Sequence, residues 1–230
     1  MIVLKTNDLL HEIKSFSNPT KGIASQRYHK SMREHWGVTV PQCNLLAKSF
    51  AKGLQQEELL LMAEALWMSN YFDPMICATK ILSLPIIKPS QPLWDLINKF
   101  LKNVDGWALE DSLAHVTWKC ILANHKLLDE LEGWTTHSNF WMRRAALVYT
   151  LPFAKKGKDP ERMLGWASTY VDEKEWFIQK AIGWWLRVLG EHNPDRVIQF
   201  LKNHWPQLKT VARKEAMRKL PTHYKCLFCD

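Results

Sequence analysis

Hydrophobic residues along this chain recur at the spacing of amphipathic helices, and the two-residue alternation of half-buried strands is missing throughout. Leu109, Leu113, Val116 and Cys120 follow i, i+4, i+7, i+11 and mark the buried stripe of one helix; Ile178, Ile182, Trp185 and Leu189 mark that of another. The 9 glycines are sparse, and most of the 11 prolines fall between apolar segments. Helix starts are expected near Thr39, Phe72, Asp105, Ser138, Asp172 and Leu208, each followed by a second helix after a short polar break. The interval is about 34 residues, in the range of stacked helix-pair repeats. The pattern predicts an all-α chain, a superhelical solenoid of antiparallel helix pairs. It is expected to form one repeat domain over residues 1–220, with a C-terminal tail over 221–230.

Sliding the repeats over one another brings Arg144, Lys180 and Lys214 to matching places, and one unit towards the N-terminus the same place holds Asp111. A row that is otherwise cationic thus carries one carboxylate. In a solenoid, equivalent residues line one face, usually the concave one. The expectation is a concave basic face, against the plain alternative of a solvated row of lysines and arginines.

Charge sharpens that expectation. The formal net charge is +8 and the pI is near 9.2, which favours a polyanionic partner, with nucleic acid ahead of an acidic protein or membrane surface. No apolar run approaches the roughly 18 to 20 residues of a bilayer span. Residues Met1 to Asp8 hold too short an apolar run for a secretory signal, so a cytoplasmic location is expected. Cys43, Cys77 and Cys120 lie within helical apolar patterns and read as reduced core thiols. Cys226 and Cys229 have the spacing of half a zinc site but lack a second pair, so no metal or other cofactor is expected.

Trp107 and Asp111 stand off the buried stripe of their helix and four residues apart, so an indole and a carboxylate project together. Trp185 belongs to a core stripe. Its neighbour Trp184 shares a face with Lys180, Arg187 and Glu191, where a large aromatic among cations suits stacking or sugar contact in a nucleic-acid groove. The bland readings are a half-buried tryptophan beside a solvated aspartate, and a tryptophan packed on the next repeat.

Three blocks carry a family resemblance: Asn103-Val-Asp-Gly-Trp-Ala-Leu-Glu-Asp-Ser112, Phe140-Trp-Met-Arg-Arg-Ala-Ala-Leu147 and Glu175-Trp-Phe-Ile-Gln-Lys-Ala-Ile-Gly-Trp184, the last followed by Leu186-Arg187 and Asn193-Pro194. In these, and from about Asn18 to Leu220, the chain resembles the AlkD-type DNA alkylation repair glycosylases, built from HEAT-like helical repeats. The resemblance implies Asp111 as the catalytic carboxylate and Trp107 and Trp184 as aromatic walls beside the lesion's deoxyribose. It implies Arg144 as a backbone-binding cation and Tyr28 as an aromatic facing the other side of the DNA. Lys180, Arg187, Arg213 and Lys214 join the expected DNA-binding set. Gly106 and Ala108 replace larger or polar residues sometimes found around the first tryptophan, Glu110 adds a second carboxylate, and the tail after Pro221 has no match.

The implied reaction suits these residues. Glycoside cleavage passes through an oxocarbenium-like state and usually employs two carboxylates, one of them to protonate the leaving group. A purine alkylated at N3 or N7 is already cationic, so one carboxylate, stabilising the sugar cation and orienting water, is sufficient. The expected substrate is duplex DNA containing alkylated purines, acted on by a monomer with no obligate protein partner, associated with the nucleoid while it works. Competing readings are a DNA-binding relative without activity and a repeat scaffold for a protein partner.

Overall fold

The computed structural model describes residues 2–155 and 158–228, and every regular element among them is helical. The fold divides after His125 into two compact units. The first contains α1 (Ile2–Ser15), α2 (Pro19–His29), α3 (Val40–Phe50), α4 (Gln56–Met68), α5 (Phe72–Leu82), α6 (Gln91–Leu101) and α7 (Trp107–Ala123). The second contains α8 (Leu127–Trp134), α9 (Phe140–Val148), α10 (Glu161–Thr169), α11 (Trp176–Gly190), α12 (Pro194–His204), α13 (Thr210–Met217) and α14 (Thr222–Lys225). Short 3-10 turns cover Leu151–Ala154 and Cys226–Phe228.

Each unit packs successive odd-numbered helices side by side, α3 on α5 on α7 in the first and α9 on α11 on α13 in the second. Even-numbered helices lie against them as a second layer: α4 and α6 in the first unit, α8, α10 and α12 in the second. This is the helix-pair arrangement the periodicity predicts. The six odd-numbered helices from α3 to α13 begin at residues 40, 72, 107, 140, 176 and 210, so the repeat length stays between 32 and 36 residues. Asp111, Arg144, Lys180 and Lys214 are each the fifth residue of their helix. The register found by sliding the repeats is therefore also a structural register within the helices.

Helix starts follow local capping chemistry. Asn18 and Ser90 accept backbone N–H bonds two or three residues into α2 and α6, and Thr39 with Gln42 forms a capping box at α3. Helix α11 begins at Trp176 rather than near Asp172, and the reason is the buried Gln179 amide. It donates to the carbonyls of Tyr170, Val171 and Glu173 at 3.3, 2.9 and 3.1 Å, and its oxygen accepts the Lys209 N–H at 2.8 Å. Those carbonyls are committed outside a helix, so residues 170–175 stay a loop.

In the first unit α5 is central, with all but one of its residues buried among α3, α4 and α7. Trp67 of α4 stacks on Phe100 of α6 with ring centroids 4.2 Å apart and planes 4° from parallel, the apolar burial expected to dominate stability. Asp73, buried in the first turn of α5, accepts the Trp36 and Val38 N–H groups at 2.6 and 2.9 Å. Those bonds fix the chain between α2 and α3. Where that chain crosses α2, a Cβ on Gly22 would lie 2.3 Å from the His35 carbonyl oxygen, and Gly37 has φ of +80°.

Candidate functional site

Trp107 and Asp111 occupy the first two turns of α7, and both are partly exposed. Where α7 begins is set by Arg33, whose side chain is only 8% exposed. It is ion-paired with Asp105. It donates from Nη2 to the Asn103 carbonyl oxygen and Oδ1 at 2.7 and 3.0 Å, and from Nε to Asn70 Oδ1 at 3.0 Å. One guanidinium therefore ties the loops that precede α5 and α7. The Asn103-Val-Asp-Gly-Trp segment holds its shape because its Asn and Asp serve Arg33. Asp105 spent in this way also explains why α7 starts at Trp107 rather than at Asp105.

An aromatic cluster fixes the Trp107 indole. His29 lies 5.1 Å from it, centroid to centroid, and Tyr28 meets it edge-on at 5.7 Å. His29 stacks on Phe72 at 4.9 Å, and His35 stacks on Phe72 at 3.7 Å with planes 10° apart. His35 Nδ1 bonds the Ser25 hydroxyl at 2.9 Å, and His29 Nδ1 bonds the Ser25 carbonyl at 2.9 Å. Burial lowers the pKa of both imidazoles, that of His35 to about 4, with the neighbouring His29 adding to the effect. Both are neutral near pH 7 and act as flat aromatic supports.

Beside this cluster a groove of about 550 Å³ runs along α3, α5 and α7. At one end its walls are His29, Phe72 and Trp107; Ile76 and Asp111 follow, then Lys80, Ser83 and His115. Burial lowers the Lys80 pKa, and His115 is lowered by burial together with the charges of Lys119 and Lys80. The groove thus grades from aromatic, through a carboxylate, to cationic.

The second unit carries the other expected residues. Trp185 is fully buried and Trp184 half-buried, the division the helix periodicity predicts. The cations correct the picture of an evenly solvated row. Arg144 is 3% exposed and packs its guanidinium 5.9 Å from the Trp141 ring centre. Lys180 and Arg187 are both ion-paired with Glu215 of α13, itself buried. Burial opposes ionisation of Glu215, but the Lys180 hydrogen bond and the charges of Arg187, Lys180 and Arg218 outweigh it and hold its pKa below the usual carboxylate value. Arg213 lies 4.9 Å over the Trp205 ring, and Lys214 is exposed.

Glu110, the added carboxylate beside Asp111, is fully buried. Tyr28 is 71% exposed and stands against Trp107, so within the first unit it belongs to the same cluster. Sequence reasoning missed His29, Lys80, His115 and Arg33. His115 was within reach, because Trp107, Asp111 and His115 are spaced i, i+4, i+8. Among the described residues no cluster of three or more His, Cys, Asp or Glu is placed to hold a metal. Cys226 is exposed, and Cys229 lies outside the described residues. No described helix is long and apolar enough to cross a membrane.

Residues 9–220 match the family described as DNA alkylation repair enzyme. A solved structure described as a predicted DNA alkylation repair enzyme from Enterococcus faecalis shares the fold with a TM-score of 0.79 at 22% identity, covering 90% of this chain and 97% of its own. The structure of AlkD2 from Streptococcus mutans aligns with a TM-score of 0.63 at 17% identity over 89% of this chain and all of its own. The smu.31 protein of Streptococcus mutans UA159 aligns at 0.62 and 17% identity, over 79% of this chain and 93% of its own. Among curated proteins none matches the chain. With the match spanning nearly its whole length, this chain belongs to the DNA alkylation repair enzyme family.

Proposed function

We propose that the protein is a DNA glycosylase that releases purines carrying a positive charge from N3 or N7 alkylation, by hydrolysing the bond between base and deoxyribose in duplex DNA. The observation that carries this reading is the pairing of Trp107 and Asp111 one turn apart along a single open groove, with the indole braced from behind by Tyr28 and His29. The Asp111 carboxylate stabilises the developing sugar cation and orients the attacking water. The Trp107 face adds cation–π attraction of about 0.5 to 2 kcal/mol. Because the alkylated base leaves as a neutral molecule, no acid is required, and an unmodified purine, a poor leaving group, is left intact.

In the second unit the half-buried Trp184 is assigned to the lesion sugar, and Lys214 with Arg213 to the phosphate backbone. Arg144, Lys180 and Arg187 contribute to the same DNA contact from more enclosed positions. Incubating the protein with duplex treated with a methylating agent tests the reading, with released 3-methyladenine and 7-methylguanine measured chromatographically. Release of these bases above the uncatalysed rate supports it. Tight binding of methylated duplex with no release would make the protein a DNA-binding member of its family.

A further inference from the structure

Lys80 is the feature of the groove that the proposed reaction leaves unexplained. It is half-buried on α5, the most enclosed helix of the first unit, and points along the face Phe72, Ile76, Lys80, Ser83 that forms one wall. Among the described residues no carboxylate is ion-paired with it, and burial works against its charge. An ammonium drawn out of water without an anion is costly, whereas the same group beside an open groove is a receptor for an anion that arrives there. On the opposite wall, His115 is close enough to feel the Lys80 charge. It stands one helical turn beyond Asp111, about 6 Å along the axis. That is the separation between the anomeric carbon of a nucleotide and the phosphates that flank its sugar. Ser83 and Asn44, which also line the groove, add neutral hydrogen-bonding groups.

We propose that Lys80 and His115 form a phosphate-binding subsite of this groove, which takes the phosphodiester next to the sugar that Asp111 faces. The proposal rests on the reading of Asp111 as the residue facing the lesion. Lys80 supplies the charge and His115, neutral near pH 7 because burial, Lys119 and Lys80 all lower its pKa, supplies a hydrogen bond. The subsite sets the register of the strand, so that the lesion's sugar rather than its neighbour's meets the carboxylate.

The test is the affinity for undamaged duplex over a series of salt concentrations. Lys80→Gln should weaken binding and reduce the slope of log affinity against log salt by about one, the value of one phosphate contact. Lys80→Arg should restore the slope, and His115→Gln should weaken binding while leaving the slope unchanged. Lys99→Gln removes an equal charge from the same unit, but Lys99 is bound to Glu64 at 2.6 Å away from the groove, so it should behave as the parent. Lys80→Met keeps the apolar stem and replaces Lys80→Gln should that variant fold poorly. A parental slope in Lys80→Met, an equal loss in Lys99→Gln, or parental affinity in His115→Gln would each overturn the subsite. These outcomes do not depend on base release. A parent that releases no base ends the glycosylase reading, while a change of slope confined to Lys80 would still mark a phosphate contact.

Discussion

His35 is sandwiched into the cluster behind Trp107, stacked on Phe72 and bonded to Ser25, and its folded-state pKa of about 4 lies well below the 6.5 of a free imidazole. Between those values the unfolded chain binds a proton that the folded chain excludes, so stability rises with pH across the window and is lost as pH falls from 6.5 towards 4. His29, also lowered by burial, acts with the same sign. Glu215, whose pKa is depressed, loses its stabilising ionisation only as pH falls below about 4.5. Thermal unfolding should therefore occur at lower temperature at pH 5 than at pH 7. In His35→Phe, which keeps the stack and removes the titrating group, that difference should shrink. An undiminished difference in His35→Phe would show that His35 is not the group whose protonation the fold resists.

Helix α11 shows at the scale of an element what a sequence makes legible and what it hides. Its buried stripe, its half-buried Trp184 and its register against the neighbouring repeats all follow from spacing, because a helix fixes the angle between its own side chains. Its closeness to α13 does not. A Cβ on Gly183 would come within 2.7 Å of the Glu215 Cβ and 2.8 Å of the Ala212 carbonyl oxygen, so the two helices touch at a site where only hydrogen fits. Gly183→Ala, favourable by helix propensity alone, should instead destabilise the protein by about 1 to 3 kcal/mol through overpacking, measured by denaturant unfolding. An equal or higher stability would mean that α11 and α13 are not so closely packed. The same limit explains the misplaced charges. Periodicity marks the stripe through Leu109 and Leu113, but α7 buries a band two residues wide that includes Glu110, Ala114, Thr117 and Ile121. It also cannot show that Lys180 and Arg187 meet a carboxylate at position 215, or that Arg33 crosses to Asn103 and Asp105. Those partners lie about one repeat or more away along the chain. The Trp107 and Asp111 pair was legible because both residues sit on one helix.

For the molecule as a whole, the excess of +8 charges should make affinity for undamaged duplex fall steeply with salt. The contributions are unequal. Lys214 is exposed, so Lys214→Ala should flatten the salt slope by about one. Lys180→Ala, which takes a cation from the buried Glu215, should appear chiefly as a loss of stability. Unchanged stability in Lys180→Ala would mean that the fold does not depend on Lys180 to hold the buried Glu215. If Asp111 carries the chemistry, single-turnover release of 7-methylguanine from methylated duplex by Asp111→Asn will show it. The amide keeps the shape of the side chain and removes its charge. Binding of the damaged duplex should stay close to the parent's, or tighten slightly on removal of an anion from a surface that faces phosphates. The rate of release should fall by a factor on the order of 10² to 10³. Release by Asp111→Asn at the parental rate would mean that the Asp111 carboxylate does not carry the reaction.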